Sequence, residues 1–110
     1  MEVGVDIQEN KAFKSFKGNI HFYKRIFTKK EIDYCIRRKD YKSAFCAKFC
    51  VKEAVIKIFD KKINYKEIEV LNTKSGKPYV LIKGEKRKNI SVSLSHTQNY
   101  CVGVAVLKNV

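Results

Sequence analysis

Two carboxylates and one lysine have the side-chain types of a site that handles phosphate. Asp6 lies in an apolar segment near the start of the chain, and Glu53 and Lys57 lie four residues apart in a long apolar segment. Mg²⁺ in proteins takes one or two carboxylates, together with substrate phosphates and water. The pattern is therefore consistent with Asp6 and Glu53 as metal ligands and with Lys57 as a partner for phosphate charge.

A purely structural explanation accounts for the same residues. Glu53 and Lys57 have the favourable order for an i, i+4 ion pair on a helix, which stabilises by roughly 0.2–0.5 kcal/mol. Asp6 equally suits a capping or turn position. These residues alone leave both interpretations open.

A second group of polar side chains closes a later strand. Alternation along residues 93–97 places Ser93 and Ser95 on one face and Leu94 and His96 on the other. Small polar groups beside His96 suit contacts to phosphate or ribose. A histidine bonded to a loop carbonyl would explain the pattern as well.

The elements that position these residues are predicted as a strand, two helices and a run of strands. Thr28 followed by Glu31 forms a capping box that begins the first helix. The second helix is apolar on most of its circumference, as expected for a core helix. Predicted helices cover residues 28–38 and 41–59, and predicted strands cover residues 2–7, 67–72, 78–82, 90–95 and 100–107, with Asp6 at the end of the first strand. The order predicts one α+β domain over residues 1–110, with an antiparallel sheet packed against a long buried helix.

Composition limits the class of partner without selecting one. The chain has 110 residues and 24 Lys+Arg against 11 Asp+Glu, for a net charge of +13. This charge favours an acidic partner, such as nucleic acid, an anionic membrane surface, a phosphorylated small molecule or an acidic protein. No apolar run has the length of a membrane span or a secretory signal. Four cysteines without a CxxC pair indicate buried thiols, and we expect a cytoplasmic protein.

Five segments in chain order resemble the holo-acyl-carrier-protein synthases. They include an opening strand that carries an aspartate, a helix with a Lys-Glu-Ala triplet and a later lysine, a hairpin, and a Ser-His-Thr strand. The segments are VGVDI (3–7), FYKRIFT (22–28, followed by Glu31), KFCVKEAVIK (48–57), GKPY (76–79) and VSLSHT (92–97).

The resemblance implies an activity and a set of site residues. It implies Mg²⁺-dependent transfer of the 4'-phosphopantetheine group of coenzyme A to a serine of an acidic apo-acyl carrier protein, releasing adenosine 3',5'-bisphosphate. It also implies a homotrimer with sites between subunits, and no membrane or nucleic-acid partner. The implied metal ligands are Asp6 and Glu53, which are catalytic together with Lys57; the implied cofactor-binding residues are Lys48, Lys57, Gly76, Pro78, His96 and Thr97.

Two departures from the family pattern concern the carrier protein and the cover of coenzyme A. Ala12 occupies a position where the family usually has an arginine that holds the carrier, and Lys11 could substitute for it. The family helix commonly ends in glycine before a longer loop, whereas residues 60–62 read Asp-Lys-Lys here. The alternative function is a basic nucleic-acid-binding module without catalysis, although the sequence contains no RNP, KH or zinc motif.

Overall fold

The computed structural model describes residues 1–108. Over that range the chain forms six strands in two three-stranded antiparallel sheets, with strand orders β1-β6-β5 and β2-β3-β4. The elements are β1 (Glu2–Glu9), α1 (Ile20–Ile26), α2 (Lys29–Ile36), α3 (Tyr41–Lys57), β2 (Ile68–Asn72), β3 (Pro78–Ile82), β4 (Glu85–Lys86), β5 (Ile90–His96) and β6 (Tyr100–Leu107). The predicted α+β class is confirmed, although the strands divide into two sheets where one was expected.

The start of α2 confirms the predicted capping box. The Thr28 hydroxyl accepts from the Glu31 amide at 3.4 Å, and the Thr28 amide donates to Glu31 Oε1 at 2.8 Å. By contrast, α1 was not predicted. It has only seven residues, and its buried Tyr23 and Ile26 anchor it to the core. A helix this short depends on such tertiary packing, because local propensity alone does not stabilise it.

Two glycines let α3 lie directly against the β1-β6-β5 sheet. A Cβ atom on Gly4 would lie 2.1 Å from the carbonyl oxygen of Ala54. A Cβ atom on Gly103 would lie 2.5 Å from backbone atoms of Cys50 and Val51. Any side chain at these positions would hold the helix away from the strands, so the glycines set the distance between α3 and the sheet.

The first strand differs from its prediction in length and in exposure. It runs two residues further than predicted, so Asp6 lies in mid-strand, opposite Gly103 of β6, and the prediction of Asp6 at a strand end is wrong. Its apolar side chains point away from α3, because the glycine side of the strand faces the helix. The exposed fractions are 62% for Val3, 53% for Val5 and 64% for Ile7.

The core consists of two clusters arranged along α3. One is rich in aromatic residues and includes Tyr23, Phe27 and Phe45, while the other is aliphatic and includes Val51 and Val80. The four cysteines are free and buried, which confirms the interpretation of small buried thiols. Within residues 1–108, no helix combines the length and the apolar character that crossing a membrane requires.

Candidate metal and phosphate site

Lys57 and Asp6 meet where the last turn of α3 crosses β1. Lys57 Nζ donates to the carbonyl oxygen of Val5 at 2.7 Å and lies 3.5 Å from Asp6 Oδ1. Gln8 Nε2, on the same strand, donates to Asp6 Oδ2 at 3.0 Å. The Asp6 side chain is 11% exposed and that of Lys57 is 50% exposed. A nearly buried carboxylate therefore lies next to a lysine that solvent and ligands can reach.

Glu53 lies one helical turn before Lys57 and bonds to a tyrosine. The Tyr65 hydroxyl donates to Glu53 Oε1 at 2.5 Å. This hydrogen bond, burial of the ring and the negative charges of Glu53 and Asp6 raise the pKa of Tyr65 to about 12.

The ion pair expected from the i, i+4 spacing is absent from the salt bridges of residues 1–108. Lys57 pairs with Asp6 and Val5, and Glu53 pairs with Tyr65. The purely structural explanation of Glu53 and Lys57 is therefore wrong in its geometry. The reason is that the sheet brings a second carboxylate and a carbonyl oxygen within reach of the lysine.

The oxygen atoms of Asp6 and Glu53 fit a hard divalent cation. Glu53 Oε1 is occupied by Tyr65, whereas Oε2 accepts no hydrogen bond from residues 1–108. Because no buried side-chain oxygen in that range lacks a partner, Oε2 reaches solvent. Over the same residues no group of three or more His, Cys, Asp or Glu side chains could hold a metal. The carboxylates of Asp6 and Glu53, the latter with its accessible Oε2, suit Mg²⁺, which fills its remaining coordination positions with phosphate oxygens and water.

A groove of about 610 Å³ opens beside Glu53. Its walls include Tyr65 and Ile56, together with the cationic side chains of Arg25 and Lys62. An anionic ligand in this groove would lie near cationic side chains as well as near Glu53.

Lys48 has a more buried environment than the other candidate residues. It is 3% exposed, and its Nζ donates to the carbonyl oxygen of Val70 at 2.6 Å and to Asn72 Oδ1 at 2.7 Å. Burial lowers the pKa of this lysine below its ordinary value. Lys48 and the exposed His96 line a separate groove of about 350 Å³, which also contains Arg38. The groove thus contains two of the residues that the family resemblance implied for binding coenzyme A.

The remaining predicted residues lie in turns or at the start of a strand. Gly76 has a φ of 94° in the turn between β2 and β3, a conformation that favours glycine. Pro78 begins β3 and lines a third groove, of about 400 Å³. Thr97 Oγ1 accepts from the amides of Asn99 and Tyr100 at 3.2 and 3.0 Å, which stabilises the turn between β5 and β6.

Helix geometry separates the candidate residues of one chain into two groups. Lys48 and Lys57 are nine residues apart on α3, which corresponds to a rotation of about 180° around the helix axis. Lys57 points towards β1, and Lys48 points towards β2. One chain therefore places the two lysines on opposite sides of α3, in different surroundings.

Comparison with known proteins identifies the family. A sequence model of the 4'-phosphopantetheinyl transferase superfamily matches residues 2–105. The chain belongs to this superfamily. The family and the enzyme class predicted from the sequence are thus confirmed.

Individual members of the superfamily match over nearly their whole length. The holo-[acyl-carrier-protein] synthase of Aquifex aeolicus is 36% identical over 118 residues, covering 96% of this chain and 97% of the relative. That of Ruminiclostridium cellulolyticum is 38% identical over 122 residues, covering 97% and 91%. A crystal structure of a holo-(acyl-carrier-protein) synthase from Bacillus anthracis in complex with CoA (3',5'-ADP) has a TM-score of 0.78 and 26% identity, covering 96% and 93%.

Several residues at the site were not identified from the sequence. Tyr65 lies 12 positions after Glu53, in a short 3-10 turn without a helical or strand period. Identifying Gln8 as a neighbour of Asp6 required the correct length of β1, because the predicted strand ended at residue 7. Arg38 follows α2 and carries no pattern that distinguishes it from other surface arginines. Tyr65 reaches the site through a contact between separate elements, whereas Gln8 bonds Asp6 within one strand.

Proposed function

We propose that this chain transfers the 4'-phosphopantetheine group of coenzyme A to a serine of apo-acyl carrier protein. The observation that carries the proposal is the contact of Lys57 with Asp6, with Glu53 one helical turn before Lys57 on α3, in a chain of the superfamily. The serine oxygen would form a bond to the β-phosphorus of coenzyme A, its proton would pass to water or to Glu53, and the bond to the departing adenosine 3',5'-bisphosphate would break. Such a transfer depends mainly on positioning and charge neutralisation. We further propose that residues 1–110 act as one domain in the cytoplasm.

The residues of the site would have different roles in this transfer. Asp6 and Glu53 would hold Mg²⁺, which when bound would supply positive charge against the pyrophosphate. Lys57 is half exposed and lies beside Asp6, so its ammonium can turn to the departing bisphosphate and neutralise the charge that develops there. The positive groove beside Glu53 and the net charge of +13 favour an acidic carrier protein, because complementary fields speed encounter.

Two features support a homotrimer with shared sites. A ligand that uses both Lys57 and the groove of Lys48 and His96 needs these groups from different chains, since they lie on opposite sides of α3 in one chain. The outer face of β1 and β6 is also apolar, with Val5 and Ile7 more than half exposed, while β5 presents serines on that face. Contiguous apolar surface of this kind is typical of an interface, and a cyclic arrangement of three copies would cover it and join the two half-sites.

The activity is tested by intact-mass measurement of apo-acyl carrier protein incubated with the chain, coenzyme A and Mg²⁺. The carrier should gain the mass of phosphopantetheine, and EDTA should prevent the gain. Asp6→Asn and Glu53→Gln should abolish transfer, while Asp33→Asn, an exposed carboxylate paired with Lys29 on α2, should not. Tight binding of nucleic acid at physiological salt without any transfer would instead favour the nucleic-acid alternative.

The shared site is tested by complementation. Glu53→Gln and His96→Ala subunits should each be inactive as pure proteins. Co-expression should restore part of the activity, because a mixed trimer contains sites in which both contributing halves are intact. If the co-expressed subunits associate and remain inactive, the site is formed within one chain and the proposal of shared sites is refuted.

A further inference from the structure

Tyr65 contacts α3 through both its ring and its hydroxyl group. The ring packs against Phe49, with a centroid distance of 5.4 Å, and the hydroxyl donates to Glu53 Oε1 at 2.5 Å. Phe49 and Glu53 are four residues apart, so the tyrosine spans one turn of the helix. These two contacts define the position of the phenol relative to the Glu53 carboxylate.

The backbone of Tyr65 is hydrogen-bonded to a buried ion pair. Its carbonyl oxygen accepts from Lys52 Nζ at 2.9 Å, and the same ammonium bonds Glu31 Oε1 at 2.7 Å. The side chains of Lys52 and Glu31 are both 0% exposed. Tyr65 also begins a 3-10 turn, which the reciprocal bonds between Asn64 and Glu67 close. The tyrosine is thus held by its backbone, its ring and its hydroxyl.

The contacts of Tyr65 determine which oxygen atom of Glu53 is available to bind a ligand. The hydroxyl bond uses one lone pair of Oε1, and Oε2 reaches solvent with no hydrogen bond from residues 1–108. A half-buried glutamate without such a bond would sample several side-chain rotamers. Carboxylates that bind metals are commonly held by hydrogen bonds from neighbouring groups, and loss of such a bond weakens metal binding by about 10–100-fold.

We propose that Tyr65 is a positioning residue, whose hydroxyl holds the Glu53 carboxylate in one orientation and leaves Oε2 free to bind a divalent cation. The inference rests on the proposed role of Glu53 as a metal ligand. It adds that the buried Lys52–Glu31 pair supports the metal site through the backbone of Tyr65, although neither side chain of that pair is a proposed ligand.

The experiment measures Mn²⁺ binding to the full chain at saturating coenzyme A, by the electron paramagnetic resonance signal of free Mn²⁺. Tyr65→Phe removes the hydroxyl and keeps the ring, and it should weaken Mn²⁺ binding by about 10–100-fold. The matched control is Tyr41→Phe, which removes a hydroxyl that accepts from the Phe16 amide at 3.2 Å. Tyr41 lies 12 residues before Glu53 on α3, about 18 Å along the axis. Its variant should bind Mn²⁺ as the wild type does, with a comparable small decrease in melting temperature.

Two further measurements separate the role of Tyr65 from that of Glu53. In the transfer assay, Tyr65→Phe should need about 10–100-fold more Mg²⁺ for half-maximal rate and should approach the wild-type kcat at saturating Mg²⁺. Glu53→Gln should lose Mn²⁺ binding whether or not the tyrosine is present. If Glu53→Gln binds Mn²⁺ like the wild type, the metal assignment fails, and the inference fails with it. If Glu53→Gln loses binding but Tyr65→Phe binds normally, only the positioning role is overturned.

Discussion

Replacing Lys52 by methionine should lower the free energy of unfolding by about 3–5 kcal/mol, the usual cost of leaving one partner of a buried ion pair alone. The ammonium donates to Glu31 Oε1 and to the carbonyl oxygen of Ile26 at 2.7 Å, and to that of Tyr65 at 2.9 Å. Methionine preserves most of the side-chain volume, so the loss reports the charge and the three hydrogen bonds. Glu31 would keep its bonds from two backbone amides but would remain a buried charge without a cation.

The assay is urea unfolding followed by circular dichroism at neutral pH. Lys29→Met is the matched control, because Lys29 pairs with Asp33 on the surface and should contribute less than about 1 kcal/mol. The double variant Lys52→Met/Glu31→Gln should be more stable than Lys52→Met alone, since glutamine keeps an acceptor without the buried charge. A loss below about 1 kcal/mol for Lys52→Met, or no recovery in the double variant, would refute the argument that an uncompensated Glu31 charge dominates.

Three further outcomes are expected. Lys57→Met should lower kcat by about 10²–10³-fold with little change in melting temperature, because the side chain is half exposed; marked destabilisation with normal turnover per folded molecule would contradict this role. Gly103→Ala should cost about 1–3 kcal/mol in urea unfolding, because its Cβ would lie 2.5 Å from the backbone of α3. Gly18→Ala, with no atom within 4 Å of its Cβ, should change stability by less than about 0.5 kcal/mol. Burial raises the pKa of Cys35 from 9.0 to about 12. Between these two pH values, the thiol keeps its proton in the folded chain and loses it in the unfolded chain. The stability from this group is present below pH 9 and should fall by about 1.4 kcal/mol per pH unit up to pH 12; Cys35→Ala should show a shallower decline than the wild type.

Short-range patterns in the sequence determined most of the secondary structure. The capping box of Thr28 and Glu31 located the start of α2, and the predicted bounds of β3 and β6 agree with the structure. These signals arise from neighbouring residues, so they are present before any tertiary contact forms. The helix α1 was missed because its stability comes from buried Tyr23 and Ile26.

The chemistry of the candidate site was also visible in the sequence, but its pairing was not. The residue types of Asp6, Glu53 and Lys57 indicated carboxylates and a lysine suited to phosphate, and helical spacing suggested that Glu53 would pair with Lys57. The structure instead pairs Lys57 with Asp6, 51 residues away, and Glu53 with Tyr65. Spacing along one helix cannot reveal a partner supplied by a strand or a loop.

The close approach of α3 to the β1-β6-β5 sheet determined the remaining features of the site. Because Gly4 and Gly103 have no side chain, the helix backbone lies directly on β1 and β6. That contact brings Lys57 to Asp6 and directs the apolar side chains of β1, such as Val5, to the opposite face. The sequence by itself determined the local elements and the chemical types at the site. Only the tertiary structure determined which charges meet and which are buried, since both depend on how closely two distant segments of backbone can pack.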